Sequence, residues 1–528
     1  MNLFVRIVGA LAAGAILLGA NAFAQEVNAD IVNHIRNEGY LHSQVMNYMT
    51  ELTDDFGPRL TASPQKRAAD RWAMNKMKEV GLSNVHAEGF DFGPGWSSGR
   101  VSVFMTSPQQ RQLHVVPVAW TPGTNGVVKA DAVAVDIQSE ADFERYRGKL
   151  KGKVVFLDPA RAPETPSGEI VKRYSDEDLK QIEQFQTPKP GPDPERLEFS
   201  EHYQFTLARK DFLGQEGVVA TVSSSKLDAG IIHTGTNTFI PGMQPAFPML
   251  MMALEPYNKI IRLLNDEKPV SLELNVEAKF HDDDPRGYNI IGEIPGSGGN
   301  GEVVMLGAHL DSWHAGDGAV DDGTGVAAVL EAMRILKALG VKPKRTIRVA
   351  LWSGEEQGMM GSRAYVEQHF ASRPLPKDPL ERFLTWIATD FNSPLTVKPA
   401  HEKLSVYFNH DLGSGRFRGV YAEGNAAAAA IFEEWLAPFH DLGATTVTLN
   451  SFQGTDSESF DVAGLPGFQF IQDGLDYWTR LHHTDLDTLD YVVEDDLKQH
   501  AVILASFAYN GAMADKRFPR KPMPKKHD

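Results

Sequence analysis

The chain has 528 residues, no cysteine, a formal net charge of −17 at pH 7, 42% hydrophobic residues and 23% charged ones. That length is more than one hydrophobic core fills, so two domains are expected, and the composition is that of a folded globular protein. The negative balance excludes nucleic-acid binding as a main role, because phosphates are met by basic patches. The lack of cysteine excludes a disulfide framework or a lipid-bearing thiol.

Taken in chain order, Arg6 precedes an apolar run from Ile7 to Ala20, and Ala22-Phe23-Ala24 supplies a small-x-small site. Residues 1–24 therefore read as a secretory signal peptide with cleavage after Ala24, and a periplasmic or secreted location follows. A single membrane anchor is the alternative, but the run is shorter than the ~20 residues that span a bilayer. Ile31, Ile35, Val45, Met49 and Leu52 recur at helical spacing,. So do Ala69, Trp72, Ala73, Met77 and Val80 in the stretch Pro64 to Val80, with Gly81 as its stop,. These open a first unit, residues 25–115, that resumes at 281–515.

From Val116 the texture changes to short strands: Ala132–Val135, Val154–Leu157, Gly217–Val222 and Ser271–Val276,. Glu183 to Arg196 reads as a long loop, and Asp282-Asp283-Asp284-Pro285 closes the module. Residues 116–280 are thus expected as an inserted β-rich domain, acting as a lid or a dimerisation surface.

After Arg286 the pattern is α/β. Val303–Leu306 is a buried-type strand running into His309, and Val326, Val329, Leu330, Met333, Leu336 and Leu339 mark a helix that closes at Gly340,. Thr346–Trp352 is the next strand and runs on to Glu355. Trp386-Ile387-Ala388 is read as a strand leading to Asp390, and Gly467–Ile471 as a later one. Three acidic or histidine positions therefore lie just past strand carboxyl ends, where open α/β sheets place their ligands. The basic, proline-containing stretch 516–528 reads as a disordered tail.

Those positions have the chemistry of a metal site. His309 can ligate through one ring nitrogen while Asp311, two residues on in an extended chain, orients the other. Asp321, in Asp321-Asp322-Gly323-Thr324-Gly325, is a candidate bridge between cations, with Asp322 or Thr324 capping the following helix,. In Glu355-Glu356 one carboxylate can coordinate while the other takes a proton from water.

The ordered series His309-x-Asp311, Asp321-Asp322-Gly323, Glu355-Glu356-x-Gly358, Asp390 and His483 resembles the cocatalytic zinc exopeptidases, which include aminopeptidases and glutamate carboxypeptidases. It is most similar to their carboxypeptidase Q branch. The resemblance implies a mixed, mostly parallel sheet flanked by helices, with a protease-associated-like insert. It implies two Zn²⁺ per chain, one held by His309, Asp321 and Asp390, the other by Asp321, Glu356 and His483. Glu355 would be the general base to a metal-bridging water, Asp311 would tune His309, and the Asp321-Asp322 peptide would be cis. Asp456, in Gly454-Thr455-Asp456-Ser457, resembles a supporting segment of the family. His482 stands where several glutamate carboxypeptidases have tyrosine, so it is a candidate donor to substrate or oxyanion.

The expected activity is hydrolysis of short peptides by a carboxypeptidase or dipeptidase. Alternatives are an aminopeptidase, a glutaminyl cyclase or a non-catalytic binding protein. Arg416, Arg418 and Arg480 are candidates for pairing a terminal carboxylate. No nucleic acid and no membrane span after signal removal are expected, and a homodimer is the candidate assembly.

Overall fold

The structure, a computed structural model, describes residues 27–163, 168–187, 194–235, 239–387 and 394–523. The signal segment 1–24 and Asp390 lie outside the described residues. Among the described residues no helix is long and apolar enough to cross a membrane.

Among the described residues, eighteen strands divide between two eight-stranded sheets and a short ribbon. In chain order they are β1 (Ser83–Asp91), β2 (Gly95–Ser107), β3 (Arg111–Leu113), β4 (Val115–Pro117), β5 (Val128–Ala134) and β6 (Val154–Phe156). Then come β7 (Ala220–Ser224), β8 (Met249–Met252), β9 (Ser271–His281), β10 (Arg286–Ile294), β11 (Val303–His309) and β12 (Thr346–Trp352). The last six are β13 (Ala371–Ser372), β14 (Thr396–Val397), β15 (Leu404–Asn409), β16 (Phe417–Tyr421), β17 (Thr446–Thr448) and β18 (Gly467–Gln472).

The main sheet has the order β1-β10-β12-β11-β15-β18-β16-β17. Its centre, β12-β11-β15-β18, is parallel, and antiparallel partners β10 and β16 flank it on either side. Parallel strands covered on both faces need continuous apolar runs. Val303 to His309 and Leu404 to Asn409 are accordingly buried at every position.

Helices lock onto this sheet for local reasons. Ser63 accepts from the Lys66 N–H and Pro64 starts the Pro64–Glu79 helix, the N-cap and first-turn chemistry that begins helices well,. The Thr324–Ala338 helix is apolar nearly all round because it lies between the sheet and the Ala29–Leu41 and Glu494–Met513 helices,.

The second sheet, β3-β2-β9-β5-β6-β7-β8-β4, begins at Gly95 rather than at residue 116. β2 pairs with β9 along most of its length, so Gly95 to Leu113 belong to this sheet and not to the first unit. The loop expected over Glu183 to Arg196 gives way to a helix already at Pro194, which runs to Glu216.

Two further expectations differ. Trp386-Ile387 ends a helix, Pro379–Ile387, and not a strand. Leu380, Phe383 and Leu384 recur at helical spacing and pack on Tyr203, Leu207 and Ile240,. The carboxyl-terminal stretch is docked up to Lys521. Phe518 is buried against Phe432, Trp435 and Phe468, Arg520 donates to the carbonyls of His401 and Leu404, and Lys521 pairs with Asp461.

Candidate metal centre

All four parallel strands deliver side chains to one rim of the main sheet. β11 ends at His309, β12 runs into Ser353–Glu356, β15 runs into His410-Asp411, and the segment after β18 returns with His482-His483.

Two donor sets meet there and share Asp321. His309 Nε2 lies 3.2 Å from Asp321 Oδ1 and 3.5 Å from Asp411 Oδ1. His483 Nε2 lies 3.4 Å from Asp321 Oδ2 and 2.9 Å from Glu356 Oε2. Each trio keeps its ligand atoms within 4.8 Å of one another. The structure therefore brings His309, Asp321, Glu356 and His483 together. Among the described residues the third carboxylate of the first set is Asp411, which the sequence reading missed; Asp390, to which it had given that place, lies outside them. A signal was present: Leu404-Ser405-Val406-Tyr407-Phe408-Asn409 is a better buried strand than Trp386-Ile387, and Asp411 follows it.

The fit to a cation rests on unsatisfied atoms and crowded charge. Asp321 Oδ2 and Glu356 Oε1 are buried with no hydrogen-bond donor. Burial of such oxygens without a partner costs about 1–3 kcal/mol each, or more when charged. Burial pushes Glu355 and Glu356 well above the usual carboxylate range, and neighbouring carboxylates, Asp411 among them, push the same way. Burial opposes charge on His309, yet Asp411 and Asp321 outweigh it and raise the imidazole. Carboxylate and imidazole donors without thiolate suit Zn²⁺, with Co²⁺ or Mn²⁺ as substitutes.

The supporting groups are specific. Asp311 differs from expectation: its backbone carbonyl, 2.9 Å from His309 Nδ1, orients the imidazole, while its carboxylate stands 3.9 Å away. That carboxylate instead accepts from Thr61 Oγ1 and from the N–H groups of Glu355 and Glu356, so it shapes the turn that carries both glutamates. Asp487, also missed, accepts from the N–H groups of Val320 and Asp321 at 2.6 and 3.1 Å and fixes the bridging aspartate. Burial pushes Asp487 up to about 8, with Asp321 adding to it. Asp322 accepts from Gly325 N–H at the head of the following helix, and the Asp321-Asp322 peptide is cis. Arg59 is fully buried and ties the 310–318 loop by donating to Leu310, Asp317 and Gly318 carbonyls.

Asp456 is buried at the start of the Asp456–Asp461 helix, beside Thr455, whose hydroxyl donates to Asp411 Oδ2 at 2.6 Å. His482 stacks on His483 with ring centroids 3.6 Å apart and leans on Tyr477 and Trp478. Arg416 and Arg418 are spent on Asp496 and Asp473, and Arg480 on Asp476. A small cavity opens beside the centre, lined by Trp313, Asp321, Glu356, His483, Thr484 and Asp487.

Comparison with known proteins bears on the fold and the family. Residues 289–508 match the profile of peptidase family M28. The chain is 26% identical to carboxypeptidase Q of Mus musculus over 472 residues, covering 89% of this chain and 86% of the relative. Among solved structures it is similar to a peptidase M28 precursor from Shewanella amazonensis, with 25% identity, a TM-score of 0.67 and coverage of 94% of this chain and 99% of that one. A zinc aminopeptidase from Bacillus subtilis shares the fold at 17% identity and a TM-score of 0.56, covering 89% of this chain and 95% of that one. The chain is a metallo-exopeptidase whose residues 289–508 resemble peptidase family M28 and which is similar over most of its length to the carboxypeptidases Q.

Proposed function

We propose that the chain is an exported, di-zinc exopeptidase that hydrolyses short unblocked peptides as a carboxypeptidase or dipeptidase. The observation that carries this reading is the pair of donor sets sharing Asp321, with Glu355 on the same turn as Glu356. His309, Asp321 and Asp411 would hold one ion, and Asp321, Glu356 and His483 the other. Bound zinc supplies Lewis-acid polarisation of a carbonyl and makes water acidic enough to ionise near neutrality.

The chain's own residues do the rest. Glu355 takes the proton of the attacking water as its oxygen adds to the scissile carbonyl carbon. The carbon–nitrogen bond then breaks, and Glu355 returns that proton to the leaving amine. Asp311 holds Glu355 in place through the backbone of its turn. Arg59 and Asp487 keep the loop around Asp321 from moving during the exchange.

Similarity to carboxypeptidase Q over most of both chains supports the carboxyl-terminal direction. A second reading, an aminopeptidase, draws on the acidic cavity wall of Asp321, Glu356 and Asp487, which suits a free α-ammonium. The signal-like segment supports export to the periplasm or beyond.

The test is hydrolysis of one dipeptide by the zinc-loaded mature protein in unblocked, N-acetylated and C-amidated forms. Loss on amidation alone gives a carboxypeptidase, loss on both changes a dipeptidase, and loss on acetylation alone an aminopeptidase. No cleavage of any form refutes the peptidase reading of this site.

A further inference from the structure

His482 and His483 ride on the segment that follows β18, residues 473–485, and connections of the second sheet hold that segment at both ends. At its start, Leu475 N–H donates to the Lys172 carbonyl at 2.7 Å, and Lys172 N–H donates back to the Leu475 carbonyl at 2.9 Å. Tyr174 N–H donates to Asp473 Oδ1 at 2.8 Å. At its end, Thr234 N–H donates to the His483 carbonyl at 2.8 Å, and Asp485 N–H donates to the Ile232 carbonyl at 3.1 Å. Ile232 N–H in turn donates to Asp485 Oδ1 at 2.8 Å, and His114 Nε2 lies 3.1 Å from Asp485 Oδ2. Lys172 lies between β6 and β7, Ile232 and Thr234 between β7 and β8, and His114 between β3 and β4. Among the described residues the isolated β-bridges are two, Lys172 with Leu475 and His233 with Thr484, one at each end of this segment.

Backbone strain falls at the same two places. Leu475 has φ of 43° and His483 φ of 60°, and no other residue from 467 to 493 has a left-handed backbone. Side chains larger than glycine enter that region at a cost, and such residues persist where their neighbours over-determine them. The ladder of the main sheet cannot do this, since β18 ends at Gln472. The bonds across to the second sheet can, because they fix the carbonyl of each strained residue. The two donor sets differ in this respect. His309 ends β11 and Asp411 follows β15, so both are rooted in the parallel core, whereas His483 reaches Asp321 and Glu356 from a segment held across the seam between the sheets.

We infer that the second sheet positions the ligand His483, with Asp485 and Thr234 as the positioning residues, so that the second donor set closes only when the two sheets are docked on each other. This rests on the two-ion reading above. It gives the second sheet a task in the metal centre itself, beyond that of a cover or an assembly surface.

The experiment titrates the metal-free mature protein with Zn²⁺ against a chromogenic chelator, and with Co²⁺ followed by visible absorption, in wild type, Asp485→Ala, Asp485→Asn and His114→Ala. Asp485→Ala removes the acceptor of Ile232 N–H and the partner of His114. It should weaken one of the two bound ions by about 10–100-fold, the usual loss when an outer support is removed from a metal ligand, and leave the other at wild-type affinity. The Co²⁺ spectrum of the weakened ion should change with it. Asp485→Asn keeps an Oδ1 acceptor for Ile232 and should recover most of the loss. His114→Ala removes a half-exposed side chain, spares the fold, and should weaken the same ion by less. Wild-type affinity for both ions in Asp485→Ala and His114→Ala overturns the inference while the two-ion reading stands, and so does an equal loss of both ions. A wild type that binds a single ion instead refutes the two-ion reading, and the inference falls with it.

Discussion

Glu355 and Glu356 are adjacent in sequence and share one anchoring carboxylate, Asp311, yet only Glu356 pairs with His483. That division predicts different losses. Glu355→Gln should retain wild-type zinc and lose turnover by about 10²–10⁴-fold, the usual worth of a positioned proton acceptor. Near-normal kcat in a zinc-replete variant would remove Glu355 from the mechanism. The exchange of Asp390 for Asp411 is testable at the same scale. Asp411→Ala should lose bound zinc by elemental analysis, because His309 Nε2 then faces Asp321 alone, whereas Asp390→Ala should keep it. The opposite pattern would restore the sequence assignment.

At the scale of elements, the segments that carry ligands are held by neighbours far away in the chain. Gly235 has φ of 76°, and a Cβ there would stand 2.5 Å from His483 Nδ1. Only glycine adopts that backbone freely and leaves the imidazole room. Gly235→Ala should therefore displace His483 and weaken metal affinity by about 10–100-fold, as loss of an outer support does at metal sites. Competition with a chromogenic chelator measures this, and wild-type affinity would sever the link between the second sheet and the centre. The carboxyl-terminal stretch is a similar case. Phe518 fills the space between Phe432, Trp435 and Phe468, so Phe518→Ala should cost about 3–5 kcal/mol in urea unfolding,. A loss below about 1 kcal/mol, the surface-substitution range, would mean the stretch is not part of the fold.

For the whole molecule, buried carboxyls outside the centre set a dependence of stability on pH. Glu423 is 4% exposed, and burial pushes it from 4.5 up to about 8 against the opposing Phe452 N–H bond. Between those values the folded chain keeps a proton that the unfolded chain releases. Its contribution is thus fully present below the unfolded value, declines as pH rises, and is lost above about 8,. Glu423→Gln should flatten the fall of Tm between about pH 5 and 8. An unchanged slope would assign the fall to other groups.

How much of this was readable in the chain depends on the range of the forces involved. His309, Asp321, Glu356 and His483 stood out because strand ends and cis-acting motifs are local, and the parallel strands β11 and β12 announce themselves as apolar runs. The second sheet was legible as alternating short strands, but its start at Gly95 was not, because β2 is recognised only through its pairing with β9. Periodicity misread Trp386-Ile387 because that pair satisfies a strand and a helix equally until Tyr203 and Leu207 offer the helical face of Pro379–Ile387 a partner. The tail looked polar and disordered because its one aromatic anchor, Phe518, finds its pocket only among residues distant in sequence. By itself, then, the sequence determined the donor chemistry, the α/β pattern and most of the ligands, all of which follow from short-range spacing. Tertiary structure alone decided that Asp411 joins the first donor set, what Asp311 and Asp487 hold, and that His233 lies beside His483. Those depend on which distant segments share a buried surface, and packing, not local propensity, chooses that.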